Sequence, residues 1–74
     1  MLVSEGLRMI RITVNGERIQ TQTSTVSGLV EEMRLPAPLL LIELNGTALR
    51  KSEWESTALS EGDRMEILRI SAGG

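Results

Sequence analysis

The sequence predicts an α+β fold in which one main helix packs on one face of a mixed five-strand sheet. The supporting observations are segments whose apolar residues alternate with period two, one segment with helical periodicity, and two Asn-Gly turns. With 74 residues, the chain has room for one small domain with a modest core. We predict a domain over residues 9–70, preceded by a flexible extension at 1–8 and followed by a flexible tail at 71–74.

The first two strands are predicted to form a hairpin. Residues 9–14 alternate in polarity and are rich in β-branched side chains, which indicates a half-buried strand. Asn15-Gly16 follows, and this pair favours a type I′ turn because both turn positions need positive φ. Residues 18–23 return as the second strand, and their Thr and Gln side chains are typical of a sheet edge.

The main helix is predicted to begin after Ser24 and Thr25, since both residue types are good N-caps. One helical face carries the apolar residues Val26, Leu29, Val30 and Met33. We attribute Gly28, within the first turn, to close packing against the sheet. Pro36 and Pro38 are expected to end the helix because neither can continue its hydrogen-bond ladder.

Three more strands are predicted in the second half of the chain. The third covers residues 39–44 and leads into a second Asn-Gly turn at Asn45-Gly46. A short fourth strand covers residues 48–50, and the last strand covers residues 64–70. These segments complete the predicted five-strand sheet.

An irregular or briefly helical segment, residues 51–60, joins the fourth and fifth strands. It carries Trp54, which we predict to fill the core, and it ends in the turn Glu61-Gly62-Asp63. A helix on one face of such a sheet is the simplest two-layer solution. This order of elements is the β-grasp, or ubiquitin-like, arrangement.

Two glutamates indicate which face of the sheet meets solvent. Burying Glu43 of the third strand or Glu66 of the last strand without a partner would cost several kcal/mol. We therefore expect the helix to cover the opposite face of the sheet. The apolar sheet residues on that covered face are Ile10, Ile12, Val14, Leu40, Ile42, Leu44, Met65 and Ile67.

The same assignment leaves an apolar group on the open face of the sheet. Its members are Leu39, Leu41, Leu68 and Ile70. Contiguous exposed apolar residues rimmed by charge indicate a docking surface for a partner. The alternative is that the strands twist or bulge, so that some of these side chains enter the core.

The absent residue types argue against catalysis by the chain on its own. It has no Cys and no His, and therefore lacks a thiolate nucleophile, the usual general base and the commonest metal ligands. Trp54 is the only aromatic residue and the net charge is −2, which disfavours nucleic-acid binding. We expect neither a membrane span nor a secretory signal, since no apolar run is long enough and residues 1–8 lack a basic start and a long apolar stretch. We expect a non-enzyme that binds no metal or cofactor itself and works with a partner.

The tail supplies the one reactive group that the composition leaves. Ser71-Ala72-Gly73-Gly74 follows the last strand directly, and four extended residues reach at most about 13–14 Å. The two glycines can enter a passage too narrow for residues with a Cβ. The α-carboxylate of Gly74 could then attack the α-phosphate of a nucleotide held by another protein, and the acyl-adenylate could accept sulfur. The alternative is a frayed end of small residues.

From residue 9 to residue 74, the sequence resembles the ThiS sulfur carrier proteins of thiamine thiazole biosynthesis. Arg50 stands where relatives often have Pro. The resemblance rests on the order and spacing of Asn15-Gly16, Thr25-Val26, Leu44-Asn45-Gly46, Lys51 with Trp54, Glu61-Gly62-Asp63 and Ala72-Gly73-Gly74.

The resemblance implies a cytoplasmic β-grasp protein that is a co-substrate of other enzymes. An E1-like (ThiF-like) adenylyltransferase, using ATP and magnesium, would adenylate Gly74. A sulfur-donor protein would convert it to a thiocarboxylate, and a ThiG-like thiazole synthase would take the sulfur. Gly73 and Gly74 would then form the reactive tail. The partner-binding residues would be Leu39, Leu41, Leu68, Ile70, Ser71 and Ala72.

Three alternatives remain open from the sequence. The small subunit of molybdopterin synthase also ends in Gly-Gly on a β-grasp domain, although those relatives are usually longer and richer in aromatic residues. A ubiquitin-like modifier would instead join Gly74 to a lysine by an isopeptide bond. A plain interaction module would make no chemical use of its two glycines.

Overall fold

Five strands form one mixed sheet in the computed structural model, which describes residues 9–70. The predicted extension at 1–8 and tail at 71–74 lie outside the described residues, so the proposed domain boundaries remain predictions. The elements are β1 (Ile10–Val14), β2 (Glu17–Thr21), α1 (Val26–Glu32), β3 (Leu40–Leu44), β4 (Thr47–Leu49) and β5 (Arg64–Arg69), with 3₁₀ helices at Ala37–Leu39 and Lys51–Ser56.

The last strand, β5, is the central strand of the sheet. The spatial order is β2-β1-β5-β3-β4, and β1/β2 and β3/β4 are antiparallel hairpins. Between them, β5 runs parallel to β1 and antiparallel to β3. The predicted edge position of β2 is therefore confirmed. The sheet is mixed, as predicted, because β5 has a parallel neighbour on one side, β1, and an antiparallel neighbour on the other, β3.

Both Asn-Gly pairs form the predicted turns with positive φ. The φ values are 51° and 86° at Asn15-Gly16, and 52° and 87° at Asn45-Gly46. A two-residue turn of this kind matches the twist of the strands that it joins. It also explains two boundaries, since β2 and β4 each begin at the first residue after the turn, one residue earlier than predicted.

The asparagine side chains of these turns bind the central strand from both sides. Asn15 Oδ1 accepts the Ile67 main-chain N–H at 2.7 Å, and Asn15 Nδ2 donates to the Ile67 carbonyl at 3.1 Å. On the other side, Asn45 Oδ1 accepts the Arg64 N–H at 2.9 Å and its Nδ2 donates to Asp63 Oδ1 at 3.0 Å. Main-chain pairing of β1 with β5 ends at Val14 and Met65, and the Asn15 side chain adds two hydrogen bonds to β5 beyond that point.

The start of α1 follows the prediction. Thr25 is the N-cap, and its Oγ1 accepts the Gly28 main-chain N–H at 3.0 Å. The predicted packing of Gly28 against the sheet is not observed. A Cβ at this position would lie 3.3 Å from Thr23 Cβ and 3.3 Å from Thr25 Oγ1, so its close neighbours are in the segment before the helix.

The end of α1 differs from the prediction in its cause. The helix ends at Glu32, before either proline, and Arg34 takes a left-handed φ of 55°. The Arg34 N–H donates to Glu31 O and the Leu35 N–H to Val30 O, which is the Schellman pattern of helix termination. Met33, predicted to be buried, is the C-cap residue and is 38% exposed.

The core lies between α1 and one face of the sheet. Of the eight sheet residues predicted to face the helix, Ile12, Val14, Leu40, Ile42 and Met65 are buried, and Ile10, Leu44 and Ile67 are half-buried against them. Val26, Leu29 and Val30 supply the helix side, and Trp54 is buried as predicted. Leu59 completes this cluster, and its burial was not predicted because it lies in the irregular segment 51–60.

Thr21 is the buried polar residue that the sequence did not reveal. It is 1% exposed at the end of β2. Its hydroxyl donates to Glu32 Oε1 at 2.6 Å and accepts the Thr23 main-chain N–H at 3.1 Å. The second strand therefore ends at Thr21 rather than residue 23, because the chain turns here to begin the helix.

The turn before β5 is held to the first strand. Glu61 Oε1 accepts the Arg11 main-chain N–H at 2.9 Å, and Glu61 Oε2 pairs with Arg11 Nε at 3.1 Å. The main-chain hydrogen bond, with the guanidinium adding to it, lowers the pKa of Glu61. The Gly62 N–H also donates to Arg11 O at 2.7 Å. These contacts align β5 with β1 before the parallel pairing begins.

We predict that Asn15→Asp destabilises the domain by about 1–2 kcal/mol near neutral pH. The introduced carboxylate still accepts the Ile67 N–H but cannot donate to the Ile67 carbonyl, while the left-handed backbone remains accessible to it. Urea denaturation measures the loss. The loss should shrink in acid, where the introduced carboxyl is protonated and can donate. A variant as stable as the native chain at pH 7 contradicts this account of the Asn15 contact.

Candidate functional site

The open face of the sheet carries three exposed apolar side chains at the end of β5. Leu41, Leu68 and Ile70 are 54%, 64% and 42% exposed. Leu41 and Leu68 are direct partners across β3 and β5, and Ile70 follows on the same side two residues later. The structure therefore brings together three of the four predicted surface residues. We call this group the apolar patch.

The fourth predicted surface residue, Leu39, is less exposed than these three and precedes β3. It is half-buried and lies in the 3₁₀ helix Ala37–Leu39, where its N–H donates to Pro36 O at 2.8 Å. Its main chain meets the end of β5, since Leu39 O accepts the Ile70 N–H at 2.6 Å.

Next to the apolar patch, two glutamates face one another. Glu43 and Glu66 are Cα partners across β3 and β5, and both are exposed, as predicted from the cost of burying them. A groove of about 330 Å³ runs beside them. Its apolar walls come from Leu41 and Leu68 of the patch and from Ala48 and Leu49 of β4. The sequence did not reveal the groove, because it depends on the β3/β4 and β3/β5 registers.

The far end of the open face is basic. Arg18 and Arg64 are the cross-strand partners of Thr13 on either side, and Arg11 precedes Thr13 by two residues in β1. All three arginines are exposed, and Arg11 pairs with Glu61. Along β5 the open face thus passes from basic at Arg64, through the acidic pair, to the apolar patch.

The remaining predicted site residues lie outside the described part of the chain. They are Ser71, Ala72, Gly73 and Gly74, and their assigned functions remain predictions. What the structure does describe is the point from which they continue. Ile70 is hydrogen-bonded to Leu39 at the end of the central strand, so the tail starts at the margin of the apolar patch.

Other kinds of site are not found among residues 9–70. No three His, Cys, Asp or Glu side chains in this range come together in a group able to hold a metal ion. Within the same range, no helix has the length and apolar character needed to cross a membrane. The open face and the end of β5 are therefore the candidate site.

The sequence matches the ThiS family over residues 8–74. The chain belongs to the ThiS family. Members of this family are small sulfur carrier proteins rather than catalysts, which fits a chain without His or Cys. The resemblance inferred from the residues is thereby confirmed.

One solved structure and one further protein are similar to this chain. The thiamine biosynthesis protein ThiS from Geobacter metallireducens, whose crystal structure is known, is 28% identical in sequence and superposes with a TM-score of 0.77. The superposition includes 88% of this chain and all of that chain. A protein of Trieres chinensis named uncharacterized protein ycf40 is 32% identical over 62 residues, which is 82% of this chain and 85% of that protein. The structural similarity confirms the β-grasp assignment.

We predict that the two faces of β5 respond differently to truncation. Leu68→Ala should change the free energy of unfolding by less than about 0.5 kcal/mol, as is usual for exposed positions. Met65→Ala, on the same strand but fully buried, should cost about 2–5 kcal/mol because it leaves a cavity. Urea denaturation of both variants provides the measurement. Similar losses at the two positions would mean that Leu68 packs in the core.

Proposed function

We propose that this ThiS family protein carries sulfur on the C-terminal carboxylate of Gly74 for synthesis of the thiamine thiazole ring. The observation that carries the proposal is the family match, which extends through Gly73 and Gly74. The name of the Geobacter metallireducens relative, a thiamine biosynthesis protein, supports the choice of pathway. The absence of His and Cys also supports a carrier that depends on other enzymes for its chemistry.

The proposed chemistry takes place at the main-chain end. The Gly74 carboxylate attacks the α-phosphorus of ATP on an E1-like, ThiF-like adenylyltransferase, and pyrophosphate leaves. The acyl-adenylate is then a good electrophile, because AMP is a far better leaving group than an oxide ion. A sulfur nucleophile at the oxidation level of sulfide, supplied by a donor protein, attacks the acyl carbon. The C–S bond forms as the C–O bond to AMP breaks, and the product is a thiocarboxylate. A ThiG-like thiazole synthase transfers this sulfur, at the same oxidation level, to its own substrate. An oxygen atom from water or from that substrate replaces it on the acyl carbon, and the carboxylate returns.

In this proposal the folded domain positions the tail and identifies it to partners. The carrier itself binds no nucleotide or metal, since ATP and magnesium belong to the adenylyltransferase. The apolar patch is the docking surface, and it adjoins the point where the tail begins. Ser71 and Ala72 would contact the walls of the partner's channel, and Gly73 and Gly74 would pass its narrowest part because they lack Cβ atoms. The reactions would take place in the cytoplasm.

The main test is reconstitution with intact-mass spectrometry. The chain is incubated with the adenylyltransferase of its own organism, ATP, magnesium and a sulfur donor. We expect a product heavier by the difference between a sulfur and an oxygen atom, and fragmentation should place the change on Gly74. A ThiG-type synthase should then return the original mass.

Two variants serve as controls for this experiment. Deletion of Gly73 and Gly74 should abolish the mass change, whereas the exposed substitution Glu17→Gln should not affect it. An unchanged mass of the native chain, with a known carrier converted in parallel, would refute the proposed function. If Gly74 is instead joined to a lysine, or its sulfur passes to a molybdopterin precursor, activation of the tail would still be supported but the thiazole pathway would not.

The docking surface has its own prediction. Leu68→Lys should weaken binding to the adenylyltransferase by about tenfold or more, because a desolvated apolar contact at the centre of an interface is lost. The measurement is a titration by calorimetry, with thermal unfolding to verify that the variant is folded. Lys51→Leu, which alters an exposed residue outside the open face, is the control. Native affinity in Leu68→Lys would remove the apolar patch from the interface.

A further inference from the structure

The acidic pair of the open face is unfavourable to the isolated domain. Glu43 and Glu66 are directly opposed on neighbouring antiparallel strands, and like charges in this position repel. Within residues 9–70, the ion pair that forms is Arg11 with Glu61, and it involves neither glutamate. Arg64 lies on the same face two residues before Glu66 and does not reach it. The pair therefore lacks a cation from its own domain.

The groove beside the pair determines what kind of cation would fit. Its volume of about 330 Å³ is bounded on the open face by Leu41, Leu68 and Ala48, and Glu43 and Glu66 also line it. An occupant needs an apolar stem to lie along the leucines and a cationic head to meet two carboxylates. Arginine has both, and its planar group of five N–H donors can bond two carboxylates at once.

We infer that this groove receives an arginine side chain from the adenylyltransferase that activates the carrier. The inference rests on the proposed function and specifies the chemistry of its docking surface. The stem of the arginine lies against Leu41 and Leu68, and the guanidinium bridges Glu43 and Glu66. In the complex, the guanidinium attracts both carboxylates and offsets the repulsion between them.

The position of the groove gives this contact a further consequence. Glu66 and Ile70 are on the same side of the central strand, four residues apart, which corresponds to about 13 Å along a strand. An arginine bound at the acidic pair would therefore fix where Ile70 lies relative to the partner. This contact would set the point from which the tail extends toward the nucleotide.

The test is a paired set of charge-neutral variants of the full chain. The double variant Glu43→Gln/Glu66→Gln should bind the adenylyltransferase at least about tenfold more weakly, and its affinity should depend less on salt. The double variant Glu17→Gln/Glu31→Gln is the control, since it makes the same change in net charge at exposed positions outside the groove. It should retain native affinity and native salt dependence.

Thermal unfolding distinguishes a binding role of the two glutamates from a role in stabilising the fold. Removing the repulsion should raise the melting temperature of the Glu43→Gln/Glu66→Gln variant above that of the control variant. The groove variant would then be more stable and bind more weakly. A lower melting temperature would show that the two carboxylates stabilise the domain and would contradict the inference.

Competition distinguishes arginine from other cations. N-acetyl-arginine amide should inhibit formation of the native complex more strongly than N-acetyl-lysine amide at equal ionic strength, and the difference should disappear in the groove variant. Equal inhibition would overturn the assignment to arginine. Unchanged affinity and salt dependence in the groove variant, with the native chain still thiocarboxylated, would overturn the inference and leave the proposed function intact. A native chain that neither binds nor is thiocarboxylated would overturn both.

Discussion

The structure depends on keeping the last strand in the middle of the sheet. Two hairpins that are distant in sequence become one sheet only because β5 lies between them. The side chains of Asn15 and Asn45 reinforce this position by bonding to β5 or to the residue before it. At its C-terminal end β5 is paired with β3, and Ile70 is hydrogen-bonded to Leu39, so the start of the proposed reactive tail is held by the sheet.

This arrangement separates the folded body from the proposed chemistry. The core needs few residues, with one tryptophan and aliphatic side chains filling the space between α1 and the sheet. The open face consequently remains free, and it is divided along β5 into basic, acidic and apolar zones. An exposed apolar patch and two opposed glutamates both reduce the favourable energy of the isolated domain. Both features become favourable when a partner of complementary chemistry covers them.

Local patterns predicted much of this accurately. The Asn-Gly turns, the N-cap at Thr25 and the alternation in β1 and β5 depend on residues adjacent in sequence, and each is confirmed. Glu43 and Glu66 correctly identified the solvent face because an unpaired buried charge is so costly. The errors occur where elements end. Met33 and Leu39 fit the periodicity of their neighbours, but the helix and the strand do not extend to them.

The sequence by itself determined the fold class and the two faces of the sheet, since these follow from periodicity, turn chemistry and the placement of charged residues. Only the tertiary structure decided that Thr21 is buried and bonded to Glu32, that Leu39 lies half-buried in a 3₁₀ helix, and that Glu43 meets Glu66 beside a groove. These last features depend on the pairing of residues far apart in the chain. Register is a property of two strands together, and neither strand's own pattern contains it.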